Sequence, residues 1–270
     1  MKHATLLGFL TAAVLGLSAL PNIGHATPAT GASTPGTFYL ALGDSLAAGY
    51  QPDPTVSWAH GWVFQFGAML NKIAPVQVTD LAIPGECSDT LVQGGLNPDC
   101  PTKQTDSPSQ LAEAVSFIKA HPGQVNPITV EVGGNDLNGH KNELLGGTPA
   151  QQQAQLHTLF PVLVHNWTLT FEGLREACRT CTIIAVDQYS PFPRGSLKTS
   201  VAPIFTTYNG LLAKTAAPFK VRVADVYTPF VGKEMAYTWI ARGDIHANTT
   251  GYAVMAGVVA NAAGFALPAQ

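Results

Sequence analysis

Residues 38–50 read FYLALGDSLAAGY, an alternating apolar run that ends in a small, polar, glycine-containing turn. Phe38–Gly43 has the period of a buried strand, and Gly43-Asp44-Ser45 has the composition of a turn. A strand that ends by presenting one serine puts a hydroxyl where open α/β sheets bind ligands, outside a carboxyl end.

Four more segments rich in β-branched or alternating apolar residues follow, at 76–83, 127–132, 181–187 and 221–227. Longer stretches of helical character separate them, so the fold class expected is α/β, a parallel five-stranded sheet covered by helices. Ser107-Pro108-Ser109-Gln110 offers an N-cap at Ser107, a proline at the first helical position and a reciprocal glutamine. Leu111, Val115 and Ile118 give the following helix its apolar face. Thr148-Pro149-Ala150-Gln151 repeats that start signal before a long helix toward Cys178, and 250–265 reads as a closing helix.

Residues 1–26 have a basic start (Lys2, His3), an apolar run from Leu6 to Leu20, and small residues Gly24 and Ala26 at signal-peptidase spacing. They read as a secretory signal. Residues 27–37 read as a flexible lead-in and 38–270 as one domain, placed outside the cytoplasm, with no later membrane span. With 14 Lys and Arg against 17 Asp and Glu, scattered along the chain, nothing supports a nucleic-acid partner. Cys87, Cys100, Cys178 and Cys181 form an even set in an exported chain, so disulfides are expected, most simply Cys87 with Cys100 and Cys178 with Cys181. Walker, GxGxxG-after-strand and HExxH patterns are missing, and no metal or organic cofactor is expected.

The polar residues cluster after the strands. Gly43-Asp44-Ser45-Leu46 follows the first, Ile83-Pro84-Gly85-Glu86 the second and Gly133-Gly134-Asn135-Asp136 the third, while Gly243-Asp244-Ile245-His246 comes after the fifth and a long loop. A serine hydroxyl is a poor nucleophile until a base takes its proton, which makes His246 the partner sought for Ser45. An oxyanion needs donors already in place; the N–H groups of Ser45 and Gly85 and the amide of Asn135 would be three.

Those four blocks, in that order and covering about 37–265, resemble the GDSL or SGNH hydrolases. The resemblance implies a flavodoxin-like three-layer α/β/α sandwich and hydrolysis of carboxylic esters. It also implies Ser45 as nucleophile, His246 as base, and Gly85 and Asn135 in the oxyanion hole. One departure stands out. The family usually carries its acid three residues before the histidine, where this chain has Gly243, and the nearest acid, Asp244, is two before. At a tight turn or helix start one residue rotates a side chain by roughly 100°, so Asp244 either reaches the ring in spite of that offset, as the acid of a Ser45-His246-Asp244 triad, or points away from it. Asp225, Asp187 or a backbone carbonyl are the other candidates for orienting His246.

The expected enzyme is a secreted, monomeric esterase or lipase acting on a small-molecule, lipid or acylated-glycan ester. A polysaccharide deacetylase or lysophospholipase is the alternative among hydrolases. The alternative of another class is a noncatalytic binding protein, for which Gly243 in the acid's place is the argument. The 87–100 loop and 188–200 are expected around the cleft; Trp58 and Trp62 are candidates for its lining, although aromatic residues after a strand more often serve core or helix packing. Asn166-Trp167-Thr168 and Asn248-Thr249-Thr250 fit the glycan-acceptor pattern, although a glycan on Asn248 would crowd His246.

Overall fold

A computed structural model describes residues 34–101, 107–193, 195–197 and 201–265; the expected signal, 1–26, and most of the 27–37 lead-in lie outside the described residues. The elements run β1 (Phe38–Gly43), α1 (Trp62–Leu70), β2 (Gln77–Asp80), α2 (Ser88–Gln93), α3 (Gln110–Ala120), β3 (Val125–Glu131), α4 (Gly134–Gly139) and α5 (Lys141–Gly146). They continue as α6 (Pro149–Ala177), β4 (Ile183–Val186), α7 (Ala202–Ala216), β5 (Arg222–Ala224), α8 (Tyr227–Phe230), α9 (Glu234–Tyr237) and α10 (Thr249–Ala263).

All five strands pair in parallel, in the order β2-β1-β3-β4-β5. That is the flavodoxin-like order, whose topological switch lies between β1 and β3. Strand β2 is shorter than its apolar run, yet Leu81 and Ile83 still donate to the carbonyls of Ala41 and Gly43 at 2.9 and 3.1 Å. This ladder keeps the chain against β1 as far as the Pro84-Gly85 turn.

The alternation in β1 divides the core in two. Leu40 and Leu42 join Ile128, Val130 and Ile183 against α3, α6 and α7, which contribute Ile118, Trp167, Phe171 and Leu212. Tyr39 and Ala41 face the other way, with Ile184 and Ala224, against Trp62 and Phe66 of α1 and Met255 and Val259 of α10. Successive strand side chains point to opposite faces, so a two-sided apolar strand requires helices on both. Trp62 is fully buried in this second layer and is packing rather than cleft lining.

Thr148 and Gln151 form the expected reciprocal cap of α6. The cap of α3 differs from expectation. Ser109, not Ser107, is the N-cap, its hydroxyl accepting from the Ala112 N–H at 3.2 Å, and Pro108 precedes the helix. The reciprocal bond is lost because Gln110 turns inward: its amide oxygen accepts from the Gly43 N–H at 3.0 Å and its nitrogen donates to the Gly43 carbonyl at 2.9 Å. Buried backbone groups at the end of β1 need partners, and Gln110 supplies them. Among the described residues no helix is long and apolar enough to cross a membrane. Cys87 is bonded to Cys100 and Cys178 to Cys181.

Candidate active site

Ser45 lies in the turn that follows β1. Gly43, at φ 154°, ends the strand where a Cβ would meet the Glu131 carbonyl oxygen at 2.3 Å, so glycine is required for β1 and β3 to lie this close. Asp44 then caps the turn, its Oδ1 accepting from the Leu46 N–H at 2.9 Å, and Ala48 and Tyr50 donate back to the carbonyls of Asp44 and Ser45 at 3.0 and 2.9 Å. These bonds fix the backbone on both sides of Ser45.

His246 arrives on the loop between α9 and α10. Trp239 N–H donates to the His246 carbonyl at 2.9 Å, Tyr189 Oη donates to the Ile245 carbonyl at 3.0 Å, and the Tyr50 ring lies 4.5 Å from the imidazole. Trp239 Nε1 donates to Gln51 Oε1 at 2.7 Å and Arg242 pairs with Asp53 at 3.1 Å, so the serine and histidine loops are tied to each other. Held this way, His246 Nε2 is 2.8 Å from Ser45 Oγ and His246 Nδ1 is 2.7 Å from Asp244 Oδ1.

Asp244 therefore reaches the ring despite its two-residue spacing, the first of the three readings that the sequence leaves open. The 100° offset that would turn it away belongs to a helical backbone. Gly243, at φ 80°, ends a short 3₁₀ turn, and the chain from Asp244 to His246 runs through a bend outside any helix or strand. A short carboxylate there folds forward onto the residue two ahead, as in an Asx turn. The same carboxylate oxygen also accepts the His246 backbone N–H at 2.8 Å, closing the loop locally. Partial burial pushes the Asp244 carboxyl up, but the bonds from the His246 ring and backbone outweigh it and leave it below the ordinary aspartate value. The other candidate acids are occupied elsewhere: Asp187 accepts from the Val226 and Tyr227 N–H groups and Asp225 from Thr228.

Gly85 and Asn135 approach Ser45 from the turns after β2 and β3, all three lining one cavity of about 470 Å³. Among the described residues neither the Ser45 nor the Gly85 N–H is given to a protein acceptor. Gly85 has φ 87°, a left-handed conformation that favours glycine. Asn135 Nδ2 sits 3.2 Å from Asp44 Oδ2 and 3.0 Å from the Glu86 carbonyl, so both of its protons have acceptors in the resting site. Of the expected cleft segments, Gln188, Tyr189, Pro191 and Phe192 line the cavity. The 87–100 loop does not; it is flanked by the lining residues Gly85 and Pro101, and its disulfide closes it behind them.

A model of the GDSL-like lipase/acylhydrolase family matches residues 41–254, which spans all four blocks. The chain belongs to that family. This hydrolase is accordingly an enzyme of carboxylic ester chemistry. Its fold is similar to that of the lipase Lip_vut3 from a goat rumen metagenome, at 22% identity and a TM-score of 0.64 over 86% of this chain and 99% of that one. The acetylxylan esterase Axe2 of Geobacillus stearothermophilus shares the fold at 14% identity and a TM-score of 0.57, over 87% and 98% of the two chains. So does LAE5, an alpha/beta hydrolase from the Lake Arreo metagenome, at 17% and 0.56 over 86% and 97%. No curated protein matches the sequence.

Beneath the serine turn the hydrolase carries a polar network that the motif alone does not reveal. Glu131 ends β3 fully buried, takes a hydrogen bond from Gln188 and faces Asp44, itself 2% exposed. Burial raises the Glu131 carboxyl well above its ordinary value, and the charge of Asp44 raises it further. Burial raises Asp44 too, while the Leu46 N–H, the Glu131 bond and the nearby imidazole hold it down. Two carboxylates in contact cannot both ionise in a dry site. Glu131, raised the further of the two, is the favoured holder of the shared proton, and Asp44 the favoured anion. Glu131 is visible in the sequence as the acid that interrupts Ile-Thr-Val-Glu-Val, a position that burial makes informative.

Asp136 is structural. It accepts from the N–H and hydroxyl of Ser88, whose oxygen accepts from Asn166 Nδ2 at 2.9 Å, and burial lifts its carboxyl to about 6. Asn166 is thus 2% exposed with its nitrogen in use, so the folded chain offers no glycan acceptor there. Asn248 is half-buried and caps α10, accepting from Gly251 at 3.0 Å and donating to the Ala236 carbonyl at 2.8 Å.

Proposed function

We propose that the chain is a secreted serine esterase working through an acyl-enzyme on Ser45. The observation that carries this reading is the unbroken line Ser45 Oγ, His246 and Asp244, at 2.8 and 2.7 Å, at the wall of an open cavity. Ser45 Oγ attacks the ester carbonyl carbon as His246 Nε2 takes its proton. The carbonyl electrons move to oxygen, where the Ser45 and Gly85 N–H groups receive them. The Asn135 amide joins them by giving up its longer bond, the 3.2 Å one to Asp44. The tetrahedral species then expels the alcohol, which leaves with the proton from His246. Water adds to the acyl-enzyme by the same route, its proton passing to His246, and Ser45 recovers a proton as the carboxylic acid departs. Asp244 selects the tautomer with Nδ1 protonated and stabilises the imidazolium.

Export is supported by the character of residues 1–26 and by two disulfides, which persist in oxidising compartments. The test is hydrolysis of p-nitrophenyl esters by wild type and by Ser45→Ala. Turnover should fall by about 10⁵- to 10⁶-fold in the variant. A variant that keeps a tenth of wild-type turnover removes Ser45 from the mechanism.

A further inference from the structure

The cavity at Ser45 is larger than the reacting groups need. Its polar lining comes mainly from the turns after the strands and the histidine loop, and the rest is apolar: Leu144 and Leu145 of α5, Phe192, and Val201, Ile204 and Phe205 at the start of α7. The last three stand at i, i+3 and i+4, one face of a helix turn, as do Lys141, Leu144 and Leu145 on α5. Leu144, Val201 and Ile204 belong to the main core cluster, and Leu145, Phe192 and Phe205 pack against it. The hollow is therefore a bay in the end of the hydrophobic core, with Ser45 and His246 in its wall.

A bay walled by core side chains has a cost. Its lining forgoes packing contacts, and water there finds few polar partners. An acyl chain removes both penalties, and an ester whose carbonyl sits at Ser45 can direct its chain between α5 and α7. An acetyl group would leave the bay empty. A sugar placed in it would bury hydroxyls against leucine, isoleucine and phenylalanine without acceptors or donors, which is unfavourable.

We infer that the bay between α5 and the start of α7 is an acyl-chain site and that the natural substrates are esters of medium- or long-chain fatty acids rather than acetylated glycans. The inference rests on Ser45 being the nucleophile. Lys141, exposed at the start of α5, is the one cation among the cavity residues besides the histidine.

The test measures kcat/KM on p-nitrophenyl acetate, butyrate, octanoate and palmitate, with fluorophosphonate labelling of the same preparation. Transfer of each methylene into an apolar site is worth at most about fourfold, and octanoate should exceed acetate by at least roughly tenfold. Leu145→Trp and Ile204→Trp place an indole in the bay. In each variant that unfolds at a temperature near wild type, the octanoate-to-acetate ratio should drop roughly tenfold. Leu145 is only half-buried, so its variant guards against misfolding at Ile204. Labelled wild type that prefers acetate overturns the acyl site and leaves the serine mechanism standing. So does an unchanged ratio in folded variants. Protein that neither labels nor hydrolyses any of the esters overturns both.

Discussion

The two carboxylates nearest the Ser45–His246 pair belong to regions built in opposite ways. Asp44 adjoins the serine in sequence, is 2% exposed, and spends its oxygens on Leu46, Asn135 and Glu131. Asp244 lies about 200 positions away on a loop, keeps a quarter of its side chain in solvent, and spends one oxygen on the ring and backbone of His246. Burial without a cation raises the first; bonds from His246 hold the second down. Residence in the motif does not decide which acid serves the imidazole. The partners of each oxygen do. The buried region fixes where the nucleophile and the Asn135 donor stand, and the histidine loop sets the tautomer and angle of the base.

Substitutions can break this division of labour. Apart from Ser45 itself, the largest effect is expected at Asp244→Asn, which keeps size but presents the wrong hydrogen-bonding partner to Nδ1. Turnover should fall by about 10⁴-fold with KM little changed. A loss below tenfold would mean that another group orients the ring. Next comes Asn135→Ala, expected to lower kcat by about 10²- to 10³-fold. A loss of only a few-fold would show that the amide stays on Asp44 and Glu86 during the reaction.

The buried region gives a sharper pair. Glu131→Gln reproduces a protonated glutamic acid, accepting from Gln188 and donating to Asp44, and should change the unfolding free energy by less than about 1 kcal/mol. Glu131→Ala strands those partners and opens a cavity, and should cost about 3 kcal/mol. Denaturant unfolding of the two variants decides. Equal losses would mean that Glu131 is ionised and that its negative charge matters.

The smallest effect expected is on stability against pH. Burial lifts Asp136 to about 6 and Asp187 to about 8, above the 3.8 of an unperturbed aspartate. Between those values the folded chain holds more protons than the unfolded one, so their contribution declines as pH rises from about 4 to 8. Asp244 acts in the opposite sense, its contribution being lost only as pH falls through its lowered value, below 3.8. Thermal unfolding should therefore occur several degrees lower at pH 8.5 than at pH 5. Asp187→Asn should flatten the slope between pH 6 and 8, and an unaltered slope would remove Asp187 as its source.

Much of this arrangement is legible in the sequence because it rests on short-range patterns. Alternation in residues 38–43 names β1 and its two faces, Thr148 and Gln151 mark the start of α6, and the four blocks put their residues at strand ends. What sequence conceals is the conformation of particular loops and the partners of particular side chains. Asp244 was ambiguous because nothing in 243–246 says whether its carboxylate folds onto the residue two ahead, the local turn that brings it to the ring. The cap of α3 shifted because Gln110 has a partner 67 residues away. Trp62, a candidate for the cleft as well as for packing, is consumed by the core, since an aromatic residue on the first turn of a helix carries no label for the layer it joins. Glu131 could have been found by asking how an acid inside a two-sided apolar strand is kept neutral.

The central claim is that Ser45, activated through His246 by Asp244, is the residue that becomes acylated. Its most direct test is fluorophosphonate labelling of wild type and Asp244→Asn, followed over time by intact mass and peptide mapping. The account predicts a single adduct on the peptide containing Ser45, formed far more slowly in the variant. An adduct on another residue, or equal labelling rates in the two proteins, would contradict it.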